Sequence, residues 1–253
     1  MSDEAFVVGM GEVGRRLAAA LERDGWTVWP VGRSAGWDAA TDASNPAPRI
    51  VAVREEDLQS VLDRFPASLR RRAVLVQNGF LEAVHGDLGP VSRGLIYFTS
   101  KKEFYRELCP SPFHGPLASS IAEALRSGGV ATELMEDRRT FLKAMIVKGI
   151  WNGVVGLPLA VHGVDLAAYL RERRGELVAL ADEGARACGA QYGVEISGTA
   201  AVAKLLETTT DLGHVKGGAK ALAWRNGAIA LFGRRHGIPT PVNDRLLRAV
   251  GYE

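Results

Sequence analysis

The chain is 253 residues long, 47% hydrophobic and 24% charged, with a formal net charge of +2. That length accommodates one large domain or two modest ones, each with an ample core. The composition is that of an ordinary globular protein with dispersed arginines, which argues against a nucleic-acid partner. The longest apolar stretch, residues 150–161, is interrupted by Asn152, Gly153, Gly156 and Pro158 and is too short to span a bilayer.

In chain order, residues 6–8 read as a short apolar strand, followed by Gly9, Gly11 and Gly14 at G-x-G-x-x-G spacing and then by a helix over 13–23. Each glycine has a physical reason. Gly9 permits a tight turn, Gly11 lets the backbone approach a pyrophosphate, and Gly14 lets helix and strand pack closely. The free N–H groups of the helix start and the positive end of its dipole then face the phosphates. Residues 9–14 (Gly9, Met10, Gly11, Glu12, Val13, Gly14) are thus expected to hold a dinucleotide. Strands follow at 27–31, 50–53, 73–76, 95–98, around Phe113 and at 130–135, alternating with helices at 58–62 and 118–126. Such alternation implies a Rossmann-like, doubly wound parallel sheet.

From Thr140 onward the apolar residues recur at helical spacing, predicting helices over 141–157, 166–188, 199–208, 218–236 and 242–250. The expected class is therefore α/β, with a dinucleotide-binding domain at 1–138 and an all-helical domain at 139–253. Cys109 and Cys188 lack C-x-x-C spacing and read as free thiols, and the five histidines show no metal-ligand spacing. No basic-then-apolar leader precedes Phe6, so a cytoplasmic location is expected.

Several side chains sit where chemistry would be carried. The second strand ends Val31-Gly32-Arg33-Ser34, beside the adenosine ribose of a dinucleotide fold. An arginine there accommodates a 2′-phosphate, so Arg33 and Ser34 favour NADP over NAD. Arg54 and Gln77-Asn78-Gly79 follow the next strands at their carboxyl ends, which face the cofactor crevice, although Asn78-Gly79 also reads as a simple turn. In the helical half, Lys148 interrupts an almost wholly apolar run, with Asn152 four residues on and on the same helical face. A partly desolvated ammonium there can donate a proton, while a snorkelling lysine is the structural alternative. Gly237 suits a left-handed helix cap and Pro241 a helix start.

Taken together, these residues resemble the ketopantoate reductase (2-dehydropantoate 2-reductase) family over nearly the whole chain. The resemblance rests on residues 9–14, Arg54, Gln77-Asn78-Gly79, the helix at 143–152, Asn226-Gly227 and Gly-Ile-Pro-Thr-Pro-Val-Asn-Asp at 237–244. It implies NADPH-dependent reduction of a 2-oxo acid, as in the conversion of ketopantoate to pantoate in pantothenate biosynthesis, with a lysine protonating the carbonyl oxygen and asparagines holding the substrate. The chain also departs from the family. Aligned on Asn152, the family lysine falls on Ala144 and its first helix asparagine on Lys148, while Lys143 matches only after a one-residue slip. The family glutamate falls on Ala221, and Thr208-Thr209-Thr210 loosely replaces a serine pair. The expectation is a catalytic Lys148 and Asn152, a small-molecule substrate, and neither nucleic acid nor membrane as partner, with a homodimer left open. A non-catalytic NADP-binding protein and a reductase of another carbonyl or imine are the alternatives.

Overall fold

Short strands build the first half of the chain, the central ones from aliphatic residues buried on both faces. In the computed structural model, which describes residues 3–101 and 104–252, β1 (Glu4–Val8), β2 (Thr27–Val31), β3 (Arg49–Val51), β4 (Ala73–Leu75) and β5 (Ser92–Gly94) pair in parallel in the order β2-β1-β3-β4-β5. Ala5 and Val7 on one face of β1 pack into a core with Leu17, Ala20 and Leu21 of α1 (Glu12–Arg23) and Ile121 and Leu125 of α5 (Ala118–Ser127). Phe6 and Val8 on the opposite face are buried as well. Burial of both faces is the signature of a doubly wound sheet.

Beyond β5 the sheet departs from strict parallelism. A β-hairpin, β6 (Phe98–Lys101) with β7 (Phe104–Glu107), replaces a crossover helix, so β8 (Ser111–His114) returns antiparallel to β5. A parallel neighbour would need a crossover of a dozen or more residues. β9 (Thr132–Leu134) then joins β8 in parallel at the edge. The strand expected at 95–98 falls instead between two strands: β5 ends at Gly94, residues 95–97 belong to no strand, and β6 begins at Phe98. The polar run Ser92-Arg93-Gly94 concealed a strand, because these side chains are buried by the fold rather than by their own apolarity.

The second half is helical: α6 (Arg138–His162), α7 (Leu166–Glu172), α8 (Arg174–Tyr192), α9 (Gly198–Thr208), α10 (Asn226–His236) and α11 (Pro241–Arg248). α6 is long and apolar enough to cross a membrane by length and composition, but 67% of its most apolar window is buried inside the protein, as in a core helix. The expected helix at 166–188 is two, interrupted at Arg173, and that at 218–236 begins only at Asn226. Gly237 takes the left-handed cap of α10, and Pro241 opens α11. The chain divides into two compact units, Met1–Gln77 with Asp87–Phe141, and Asn78–Gly86 with Leu142–Glu253. This differs from a single cut at 138, because residues 78–86, including α4 (Glu82–His85), cluster with the helices. Phe80 N–H donates to Trp224 O at 2.7 Å, and Phe80 packs edge-on against Phe232.

Buried polar groups fix the helical unit. Glu183, 3% exposed, accepts the Val242 and Asn243 backbone N–H groups at 2.9 Å each, capping α11. Asn243 donates to Asn226 O at 2.9 Å and accepts from Asn226 Nδ2 at 2.9 Å. The two asparagines of the sequence motifs therefore serve the fold by satisfying each other. Glu183→Ala would leave one buried and one half-buried N–H group without acceptors and should cost roughly 2–4 kcal/mol of stability. Thermal unfolding followed by circular dichroism checks this, and an unchanged Tm would show that water caps α11 instead.

Candidate functional site

The glycine turn after β1 is shaped by close approaches. Gly9 adopts φ +94°, and a Cβ there would lie 2.8 Å from Val53 Cγ1 and 2.9 Å from Ala52 O. Its N–H donates to Val31 O at 3.0 Å, tying the turn to β2. A Cβ on Gly14 would lie 1.9 Å from Gly9 O, so only glycine lets α1 start so near the turn. Gly11 is different: it is the extended N-cap of α1, with no side-chain cap, and a Cβ there would meet nothing within 4 Å. The open side of Gly11 and the first N–H groups of α1 form a cradle with donors and no acceptor of their own.

A cavity of about 590 Å³ opens from this cradle at the carboxyl ends of β1, β2 and β3. Its lining includes Gly9, Met10, Gly11, Arg33, Trp37, Arg54 and Arg64, with Asp57 as its carboxylate. In open α/β sheets this is where dinucleotides bind, and the preponderance of guanidinium groups suits their phosphates. The residues fit such a cofactor. Glu12 and Val13 lie in the first turn of α1 without lining the cavity, and Ser34 is exposed beside it. Asn78 is also not part of the lining, and its segment clusters with the helical unit. The neighbouring Gln77, 4% exposed, donates to Val51 O at 2.8 Å and Val53 O at 3.1 Å, bracing the end of β3.

Trp37, Asp57, Ser60 and Arg64 also line the cavity and carry no local signal in the sequence. Trp37 opens α2 (Trp37–Thr41), donates from Nε1 to Gly32 O at 2.8 Å, and carries the guanidinium of Arg64, just past α3 (Leu58–Leu62), 4.4 Å over its ring. A further omission is Arg49, fully buried, which donates to the carbonyls of Ala40, Asp42, Asn45 and Ala47. It organises the short connection between α2 and β3. The available signal was the arginine itself, standing at the start of an apolar strand.

The helical unit holds a second cavity, of about 220 Å³, against α6. Lys148 and Asn152 are 5% and 6% exposed, whereas Lys143 is exposed and Ala144 half-buried. The Lys148 ammonium lies 4.1 Å from the centroid of the Trp151 ring. Trp151 in turn donates from Nε1 to Thr208 Oγ1 at 3.0 Å, which fixes the ring on which the lysine rests. Trp151 and Asn152 line the cavity together with Val155, Gly156 and the 215–218 loop, and Lys220 and Arg225 complete it. Asn152 Nδ2 is buried and has no hydrogen-bond partner among the described residues. An amide donor in that condition calls for an acceptor from outside the protein. Ala221 takes φ +50°, within the irregular stretch where a helix was expected.

No family model matches the chain, and no curated protein matches it in sequence. Solved structures do. A D-mandelate dehydrogenase in complex with NADH is similar at a TM-score of 0.74 and 15% identity, covering 98% of this chain and 97% of that one. A dimeric ketopantoate reductase from Staphylococcus aureus is similar at 0.72 and 16% identity, covering 97% and 96%. A ketopantoate reductase of the PanE/ApbA family from Ralstonia eutropha is similar at 0.72 and 19% identity, covering 98% and 97%. Over nearly its whole length, the chain has the Rossmann-plus-helical fold of the ketopantoate reductases and of D-mandelate dehydrogenase.

Proposed function

We propose that the chain is an NADPH-dependent reductase of a 2-oxo acid, of the ketopantoate reductase type. The observation that carries this reading is the pairing on α6 of a buried ammonium, Lys148, with a buried and unpartnered amide donor, Asn152. When bound, the cofactor supplies the hydride that reduces the carbonyl carbon. Asn152 Nδ2 donates a hydrogen bond to a substrate oxygen and orients it. Lys148 Nζ places positive charge where the carbonyl oxygen becomes an alkoxide, stabilising it, and then transfers a proton to that oxygen. The resulting neutral amine regains its proton from solvent. With Ala221 where the resemblance implies a glutamate, protonation rests on Lys148. The fold likeness to ketopantoate reductases and D-mandelate dehydrogenase supports a 2-oxo or 2-hydroxy acid as the reacting partner.

In the Rossmann unit, the cradle at Gly11 receives the pyrophosphate, and Trp37 with Arg64 flanks the adenine end. Arg33 lines the cavity just past β2 and reads the 2′-phosphate, which supports NADPH over the NADH bound to D-mandelate dehydrogenase. Arg33→Ala removes a charge-assisted contact worth roughly 1.5–3 kcal/mol and should narrow the NADPH/NADH preference tenfold or more. Fluorescence titrations with both cofactors check it, and equal affinities in the unsubstituted protein would refute the assignment. The function itself is tested by following NADPH oxidation against a panel of 2-oxo acids including ketopantoate. Tight NADPH binding with no turnover of any of them would favour a non-catalytic dinucleotide-binding protein.

A further inference from the structure

The cavity beside Asn152 is more cationic than reduction of a simple 2-oxo acid requires. Lys216, Lys220 and Arg225 line it, and no carboxylate does among the described residues. The segment that carries Lys216 is held firmly. Val215 O accepts the Leu166 N–H at 3.0 Å and Gly213 O accepts the Ala167 N–H at 2.9 Å, so this loop satisfies the first N–H groups of α7. On its other side the loop presses on α6: a Cβ at Gly217 would lie 2.2 Å from Gly156 O and 2.5 Å from Leu159 Cβ. Two anchors therefore hold the backbone beneath the lysine ahead of any ligand, and preorganisation of this kind lowers the entropy lost on binding. Buried within the same lining, the Asn152 amide donor has no acceptor among the described residues.

Resting on the reading of this chain as a 2-oxo acid reductase, we infer that its substrate is a small dianion, a 2-oxo acid bearing a second oxyanion, carboxylate or phosphate, at the far end of a short chain. Asn152 and Lys148, one helical turn apart, serve the 2-oxo end. Lys216, Lys220 and Arg225 receive the second anionic group. A lone carboxylate at the 2-oxo end would leave Lys216 and Lys220 without a counter-charge in the cavity, whereas a dianion meets donors at both ends. At about 220 Å³ the cavity suits a short diacid rather than a bulkier ligand. Ketopantoate, whose tail is a neutral hydroxymethyl, does not use these cations.

The test compares chain-matched substrates in NADPH oxidation: 2-oxopentanoate, its dicarboxylate counterpart 2-oxoglutarate, and the phosphorylated 2-oxo acid phosphonooxypyruvate. The better of the two charged-tail acids should exceed the neutral one in kcat/KM by roughly a hundredfold, and it identifies the second group as carboxylate or phosphate. In K216A/K220A, whose side chains are exposed and leave the core intact, that ratio should fall to within about fivefold. Equal or better turnover of 2-oxopentanoate would overturn the inference and leave the reductase reading standing. A second readout needs neither cofactor nor turnover: calorimetric titration of the protein with glutarate and with inorganic phosphate. Binding of either that is lost in K216A/K220A supports the anion site even if no 2-oxo acid is reduced, in which case the reductase reading fails alone. Absence of binding by both anions, or binding unchanged in the double variant, would overturn it.

Discussion

A Gly11→Val protein should fold normally and lose NADPH binding, while Gly14→Ala should fail at the level of the fold. The two glycines stand three residues apart in one motif, yet their surroundings oppose each other. Gly11 faces open space at the mouth of the cavity, so a branched side chain meets no protein atom and occupies the room left for the phosphates. The affinity loss should be roughly a hundredfold or more, since phosphate contacts made by charged and backbone donors are displaced together. At Gly14 even one methyl would lie 1.9 Å from Gly9 O, a backbone atom that cannot swing aside. Separating α1 from the turn should cost about 3 kcal/mol or more, at the upper end of overpacking in a tight core. Titration monitored through Trp37, which lines the cavity, reads the first variant, and thermal melts read the second. Undiminished affinity in a folded Gly11→Val protein would reduce the motif to a structural turn.

The second large effect is expected at Lys148. Lys148→Ala should lower kcat by roughly a hundredfold or more, within the range of a lost general acid, with NADPH affinity little changed. Lys143→Ala should have a small effect, because that side chain is exposed. The two lysines are five residues apart, about 140° around a helix of 3.6 residues per turn. Lys148 shares its face with Asn152 and lies against the Trp151 ring, so removing it also leaves a gap beside that ring. A stability measurement in parallel separates lost chemistry from lost packing. If Lys143→Ala abolishes turnover and Lys148→Ala does not, the assignment of the acid on α6 is wrong.

Which features could be read from the amino acids depended on whether their cause was local. The β1 turn and α1 were legible because glycine spacing, an apolar strand and an amphipathic helix are all encoded within about 20 consecutive residues. β2 was placed to the residue, and Gly237 and Pro241 were assigned their caps, for the same reason. Lys148 was conspicuous because a cation inside an apolar run must either snorkel to the surface or be held inside, and at 5% exposed its side chain does not reach the surface. By contrast β5 was missed, since Ser92, Arg93 and Gly94 carry no apolar alternation and are buried only because β4 and β8 lie on either side.

The same division governs the candidate site. Local signals specified a doubly wound sheet with a glycine-rich turn, a helical second half, Arg33 and Arg54 just past the ends of β2 and β3, and the Lys148/Asn152 face of α6. All of these follow from period, spacing and side-chain type. Contacts between distant parts of the chain set the rest. It sent Asn78–Gly86 to the helical unit, where the Phe80 N–H finds Trp224 O. It also paired Asn226 with Asn243 as structural partners. Where a helix was expected to begin at 218, a connection over 213–225 with one 3-10 turn packs on α6 at Gly156 and brings Lys216, Lys220 and Arg225 around one cavity. Helical periodicity could not forecast that loop, because the contacts that hold it come from residues more than 40 positions away in the chain.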